Sequence, residues 1–163
     1  MNQVVADTGP IVSFARAGQL ALLQAVVPTV WIPDAVYHEI VVQGADRPGA
    51  SEVAAGQWAL RKSIADPASF VGLSAALHFG EREALALARE TGSPLLVDDP
   101  LGRREAFRLG IAVLTSLTVL QQAKDSGVIG AVKPILDALM GGSGGFRLSS
   151  QLYETFLRLN LEQ

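Results

Sequence analysis

Residues 4–10 read VVADTGP. Two valines and an alanine run straight into Asp7, and a short β-branched apolar run predicts a buried strand. Thr8, Gly9 and Pro10 are turn and helix-start residues, with proline suited to a first helical position. A carboxylate therefore stands where a core strand gives way to a helix. Burying it without a partner costs several kcal/mol or shifts its pKa. Its place calls for either a capping role or chemistry.

The same pattern recurs in SPLLVDDPLGRREAFRLG, residues 93–110, where Leu95 to Val97 run into Asp98 and Asp99 ahead of Pro100. Strands are predicted near 3–6, 29–32, 59–63, 94–97 and 111–114. Helices fit near 10–16, 18–26, 33–43, 80–91, 101–109, 116–126, 130–140 and 149–160. The alternation predicts an α/β layered domain with a mainly parallel central sheet flanked by helices. GADRPGAS at 44–51 reads as a loop, and GGSGG at 141–145 as a flexible tether. In the last helix Leu152, Phe156 and Leu159 recur at i, i+4, i+7 and predict its apolar stripe.

With 163 residues, the chain suits one compact domain. At 49% hydrophobic and 18% charged it lies outside the composition of disordered chains. No apolar run approaches the ~20 residues of a membrane span, and MNQVVADTGP lacks the basic start and long apolar stretch of a secretory signal. The absence of cysteine excludes disulfides, thiolate metal sites and a cysteine nucleophile, and fits the cytoplasm. A net charge of −3 and a pI of about 5.3 are not the footprint of binding nucleic acid by bulk charge. The two histidines, His38 and His78, are too few and too isolated for a histidine-rich metal centre.

Open parallel sheets place ligands at the carboxyl ends of their strands, where Asp7 and the Asp98–Asp99 pair fall. Two further acids stand at helix starts. In IPDAVYHEIV, Glu39 shares a face with Val36 and Ile40; in GEREALALARE, Glu81 heads the stripe of Ala84, Leu85 and Ala88, while Glu83 is rotated away. Each acid alone has an ordinary reading: a cap for Asp7, a rim residue for Glu39, a helix-dipole charge for Glu81, a partner of Arg103 and Arg104 for the pair. Taken together, clustered carboxylates with few histidines suit a hard cation, Mg²⁺ or Mn²⁺. Such an ion polarises a phosphoryl oxygen and makes bound water more acidic.

The motifs VVADTGPIVSFARAG, IPDAVYHEI, GEREALALA and LLVDDPLGRREAFRLGI, in that order, resemble the acidic motifs of PIN-domain ribonucleases. The similarity is nearest to the VapC-like toxins of bacterial toxin–antitoxin pairs. It implies a three-layer PIN-like fold and metal-dependent endonucleolytic cleavage of RNA. It divides the chain into a nuclease domain at 1–140, a glycine-rich tether at 141–145 and a C-terminal helical extension at 146–163, similar to one subgroup. By position, the resemblance implies that Asp7, Glu39, Glu81, Asp98 and Asp99 are metal-holding catalytic residues, supported by Thr8 and Glu83. Asp99 fits the commoner pattern slightly better than Asp98. Arg16, Arg82, Arg103 and Arg104 become candidates for phosphate contact. The implied partners are an RNA substrate, a small antitoxin and a second copy of the chain, with no membrane.

Val97 departs from the threonine or serine common in the family, and Glu81 is one methylene longer than the usual aspartate. Those departures leave a second reading: a degenerate PIN-like domain that binds RNA or protein without cutting. An aspartate-nucleophile phosphatase would need a second aspartate where this chain has Gly9, and a receiver domain would need its acidic pair after the first strand.

Overall fold

The computed structural model describes residues 3–141 and 145–163. A five-stranded, wholly parallel sheet forms the middle layer: β1 (Val4–Ala6), β2 (Val30–Ile32), β3 (Ala59–Arg61), β4 (Leu95–Leu96) and β5 (Val113–Leu114). Their order across the sheet is β3-β2-β1-β4-β5. The register pairs Val5 with Trp31 on one side and with Leu95 on the other. All five strands lie where the apolar runs predict them.

Period-two alternation sorts these strands between two cores. Val4, Ala6 and Leu96 face one cluster with Ile11, Phe14, Leu120 and Leu136. Val5, Leu95 and Val97 face the other, with Leu85, Leu87 and Ala106. A strand buried on both faces reads as a continuous apolar run, which is why VVA and LLV carry no polar residue. The result is a three-layer α/β fold, helices on both sides of the sheet.

Helices α1 (Thr8–Arg16) and α2 (Leu20–Val26) join β1 to β2. The predicted helix at 33–43 is α3 (Asp34–Tyr37) continued by a π-helical turn over His38–Val42, closed by Gln43 N–H donating to His38 O at 2.9 Å. A short α4 (Ala50–Ala54) follows, where part of the 44–51 segment is read from sequence as loop; it buries Ala50 and Val53. Five residues are too few to show helical periodicity. A 3₁₀ turn at Pro67–Phe70, likewise unpredicted, leads to α5 (Phe79–Thr91). Gly92, at φ 66°, ends α5 in the left-handed conformation that glycine adopts without strain.

Beyond β4 come α6 (Pro100–Arg108), α7 (Ser116–Asp125), α8 (Lys133–Gly141) and α9 (Ser150–Leu159). Residues 142–144 of the expected tether lie outside the described residues. Helix α9 packs on its own chain, with one correction to its predicted stripe. Tyr153, Phe156, Leu157 and Asn160 face inward, while Leu152 and Leu159 are 43% and 77% exposed. Polar anchors set that rotation: Asn160 Nδ2 donates to Gln121 Oε1 at 2.9 Å, and Lys124 pairs with Glu162 at 2.7 Å. Hydrophobic spacing alone does not register such anchors. Among the described residues, no helix is long and apolar enough to cross a membrane.

Candidate active site

From β1 the chain moves outward to β2 and β3, then returns to β4 on the other side of β1. That reversal opens a crevice at the carboxyl ends of β1 and β4, the ligand position of open α/β sheets. The two strand ends are held together as Asp7 N–H donates to Leu96 O at 3.0 Å. The cleft there has a volume of about 240 Å³ and is lined by the acids Asp7, Glu39, Glu81, Asp98 and Asp99, together with Thr8, Gly9, Pro10 and His78.

Asp7 occupies the N-cap position of α1, yet its side chain makes no capping hydrogen bond. It is 6% exposed. Burial pushes its pKa up to about 7, the Thr8 backbone N–H opposes, and the charges of Glu81, Glu39 and Asp99 add to the rise. A buried carboxylate that leaves the helix end uncapped is poorly explained as a cap.

Glu39 comes from the π-helical turn, a feature frequent at functional sites. Thr8 Oγ1 donates a short hydrogen bond to Glu39 Oε2. On the other side the Glu39 carboxylate lies against the Cα of Gly80, where a Cβ would collide with Oε1 and approach Cδ to 3.0 Å. Glu81 accepts from His78 N–H at 3.0 Å, and the His78 side chain accepts in turn from the Glu81 N–H, completing a capping box. Burial raises the Glu81 pKa, with the charges of Asp99 and Glu39 adding and the His78 backbone and side chain opposing.

The adjacent aspartates part company. Asp99 caps α6 by accepting from Gly102 N–H at 2.9 Å, and its charge acts on both Asp7 and Glu81. Asp98 turns toward α7, accepting from the N–H and hydroxyl of the fully buried Ser116 at 2.7 and 2.5 Å. Its pKa is raised by burial, against the bonds from Ser116 and the charge of Arg103. Val97, the departure from the family pattern, packs in the second core at 1% exposure.

Glu83 lies outside the cleft. Its Oε2 accepts the Ala35 N–H at 2.7 Å and so anchors the first turn of α3, the element that carries Glu39. Of the candidate arginines, Arg103 borders a neighbouring groove, whereas Arg16, Arg82 and Arg104 border neither that groove nor the acidic cleft. Arg82 Nε is buried without a hydrogen-bond partner. His38 is exposed. Sequence reasoning passed over His78, whose signal was the capping-box spacing to Glu81, three residues on.

The donors in the cleft are almost all carboxylate oxygens, the set preferred by hard divalent cations. Burial, and to a lesser degree the charges of the neighbouring acids, raise the pKa values of Asp7 and Glu81, and a cation would offset both. As they stand, no three histidine, aspartate or glutamate side chains among the described residues are gathered closely enough to hold an ion. Several of their oxygens are instead engaged by Thr8, His78, Gly102 and Ser116.

Fold and cleft together define an α/β domain with an acidic site at the switch point of a parallel sheet. A family model described as a PIN domain matches residues 3–162. The chain belongs to the PIN-domain family, whose members are generally nucleases and typically use divalent metals. No curated protein matches it significantly.

Proposed function

We propose that this chain is a metal-dependent endoribonuclease hydrolysing RNA phosphodiester bonds, and the cytoplasmic toxin of a type II toxin–antitoxin pair of the VapC-like group. The observation that carries the reading is Asp7: a buried, uncapping carboxylate with its pKa near 7, in the electrostatic field of Glu39, Glu81 and Asp99 at the switch point.

Asp7, Glu39, Glu81 and Asp99 are the residues that would hold Mg²⁺ or Mn²⁺. When bound, the ion supplies positive charge to the phosphoryl oxygens and makes nearby water more acidic. Thr8 orients Glu39 by its hydroxyl, and Glu83 steadies the helix from which Glu39 projects. Asp98 also lines the cleft as a candidate for the ion, and its bonds to Ser116 hold the start of α7 beside it. Arg103 is the candidate among the four arginines that stands where a phosphate entering the cleft would pass. A small antitoxin and a second copy of the chain complete the proposed assembly.

Incubating a mixed RNA pool with the protein and Mn²⁺ tests the reading. Wild type should cut and Asp7→Asn should not; equal activity in both would remove Asp7 from the mechanism.

The second reading, a PIN-like domain that recruits RNA or protein without cutting, draws on the absence of three converging ligands among the described residues. Calorimetric titration with Mn²⁺ separates the two: a folded sample that takes up no ion favours the non-catalytic reading.

A further inference from the structure

A second, larger groove of about 530 Å³ opens beside the acidic cleft and shares Gly9, Asp98 and Asp99 with it. Arg103 of α6 lines it, and the C-terminal segment adds a wall with Arg147, Leu148 and Leu152. Both arginines are exposed, and neither forms a salt bridge among the described residues, although two aspartates line the same groove. Two guanidinium groups thus line the groove beside the two aspartates that it shares with the cleft.

Leu152 belongs to the apolar spacing of α9 yet remains 43% exposed at this groove. The wall that carries it is fastened to the domain. Phe156 and Leu157 are buried in the core, and Lys124 Nζ donates to Asn160 O at 2.6 Å.

We propose that this groove is a subsite for single-stranded RNA. Arg103 and Arg147 hold a phosphate next to the one presented to the acidic cleft, while Leu148 and Leu152 support the attached sugar or base. The proposal rests on the nuclease reading and gives the C-terminal segment a part in choosing substrate. A guanidinium recognises phosphate through two parallel N–H donors. The groove's volume lies within the ~300–1,000 Å³ of ordinary ligand sites. Single strands can splay a nucleotide into such a pocket, whereas duplex RNA keeps its bases stacked inside.

The experiment is fluorescence anisotropy of a short labelled single-stranded RNA with the full chain in EDTA, so that binding is read without cleavage. Arg147→Ala and Arg103→Ala should each weaken binding roughly 3- to 10-fold at low salt and flatten the salt dependence by about 0.7 in log–log slope. Leu152→Asp, at an exposed position, should weaken it as well. Unchanged affinity and slope in both folded arginine variants would overturn the subsite, as would equal binding of the same RNA in duplex form or no RNA binding by wild type. Repeating the series with Mn²⁺ separates the two proposals. RNA that binds through the arginines but stays uncut upholds the subsite and defeats the nuclease reading. RNA that is cut, with both arginine variants binding and cutting as wild type, does the reverse.

Discussion

The Glu39 carboxylate rests against the Cα of Gly80, closer than any side chain at position 80 would permit. The contact brings the π-helical end of α3 onto the first turn of α5, and so sets Glu39 beside Glu81. A Cβ at position 80 would meet the far end of a flexible side chain, not backbone. Gly80→Ala should therefore displace Glu39 at little cost in stability, helped by alanine's helix propensity of up to about 1 kcal/mol over glycine. The expected outcome is an unchanged or slightly raised Tm with Mn²⁺-dependent cleavage reduced roughly 10- to 100-fold. Full activity in this variant would mean that the position of Glu39 is immaterial.

Asp7 predicts an unusual pH dependence for the metal-free protein. Its folded pKa of about 7 lies above the ordinary carboxylate value, so the native state keeps a proton that the unfolded chain releases. Between those two values the native state binds more protons, and stability falls as pH rises. The loss approaches about 4 kcal/mol once Asp7 is ionised in both states. Asp34, Glu105 and Glu162 are shifted downward, and their contributions disappear only in acid. Urea unfolding in EDTA at about pH 5 and about pH 8 should show this decline, and Asp7→Asn should remove most of it. The upward shifts of Glu81 and Asp98 leave a smaller remainder of the same sign. Stability that is flat or rising over this range in wild type would contradict the burial of a titrating Asp7.

Asp98 and Asp99 should separate stability from metal binding. Asparagine caps a helix about as well as aspartate, so Asp99→Asn keeps the bond to Gly102 and removes one charge from the cleft. Its Tm should stay near wild type while Mn²⁺ affinity drops. Asp98→Ala leaves the buried Ser116 N–H and hydroxyl without their acceptor, at a cost of about 2 kcal/mol. Calorimetry beside thermal melts reads both effects, and the opposite pattern would exchange their roles.

Glu83 should act through α3. Glu83→Ala removes the acceptor for Ala35 N–H, with a stability loss of about 1 kcal/mol. Freeing the start of the helix that carries Glu39 should weaken Mn²⁺ binding too. Glu83→Gln keeps an acceptor oxygen and should restore binding; failure of that rescue would point to the charge instead of the bond.

Much of the layout was legible in the chain. VVA and LLV, apolar on every residue, announced strands buried on both faces, and Pro10 and Pro100 marked the turns into helices behind Asp7 and Asp99. Elements too short for periodicity, α4 and the 3₁₀ turn at Pro67–Phe70, were not legible. The π-helical turn under Glu39 was equally hidden, because the 3.6-residue spacing of Val36, Glu39 and Ile40 is satisfied by an ordinary helix. In α9, leucine spacing pointed to Leu152 and Leu159, but Tyr153 and Asn160 turn the helix by hydrogen bonds that exist only once α7 and α8 lie beside it.

By itself the sequence determined a parallel α/β layer and the acids at its strand ends and along its helices, since both follow from local spacing along the chain. Tertiary structure decided which acids face one another. Asp98 and Asp99 are neighbours with the same chemistry and both line the cleft, yet Ser116, 18 residues after Asp98, holds one while Gly102 of the following helix holds the other. Likewise Glu39 and Gly80, far apart in sequence, meet because strand order returns the chain to the other side of β1. Such distant contacts depend on packing across the sheet, which no short stretch of residues encodes.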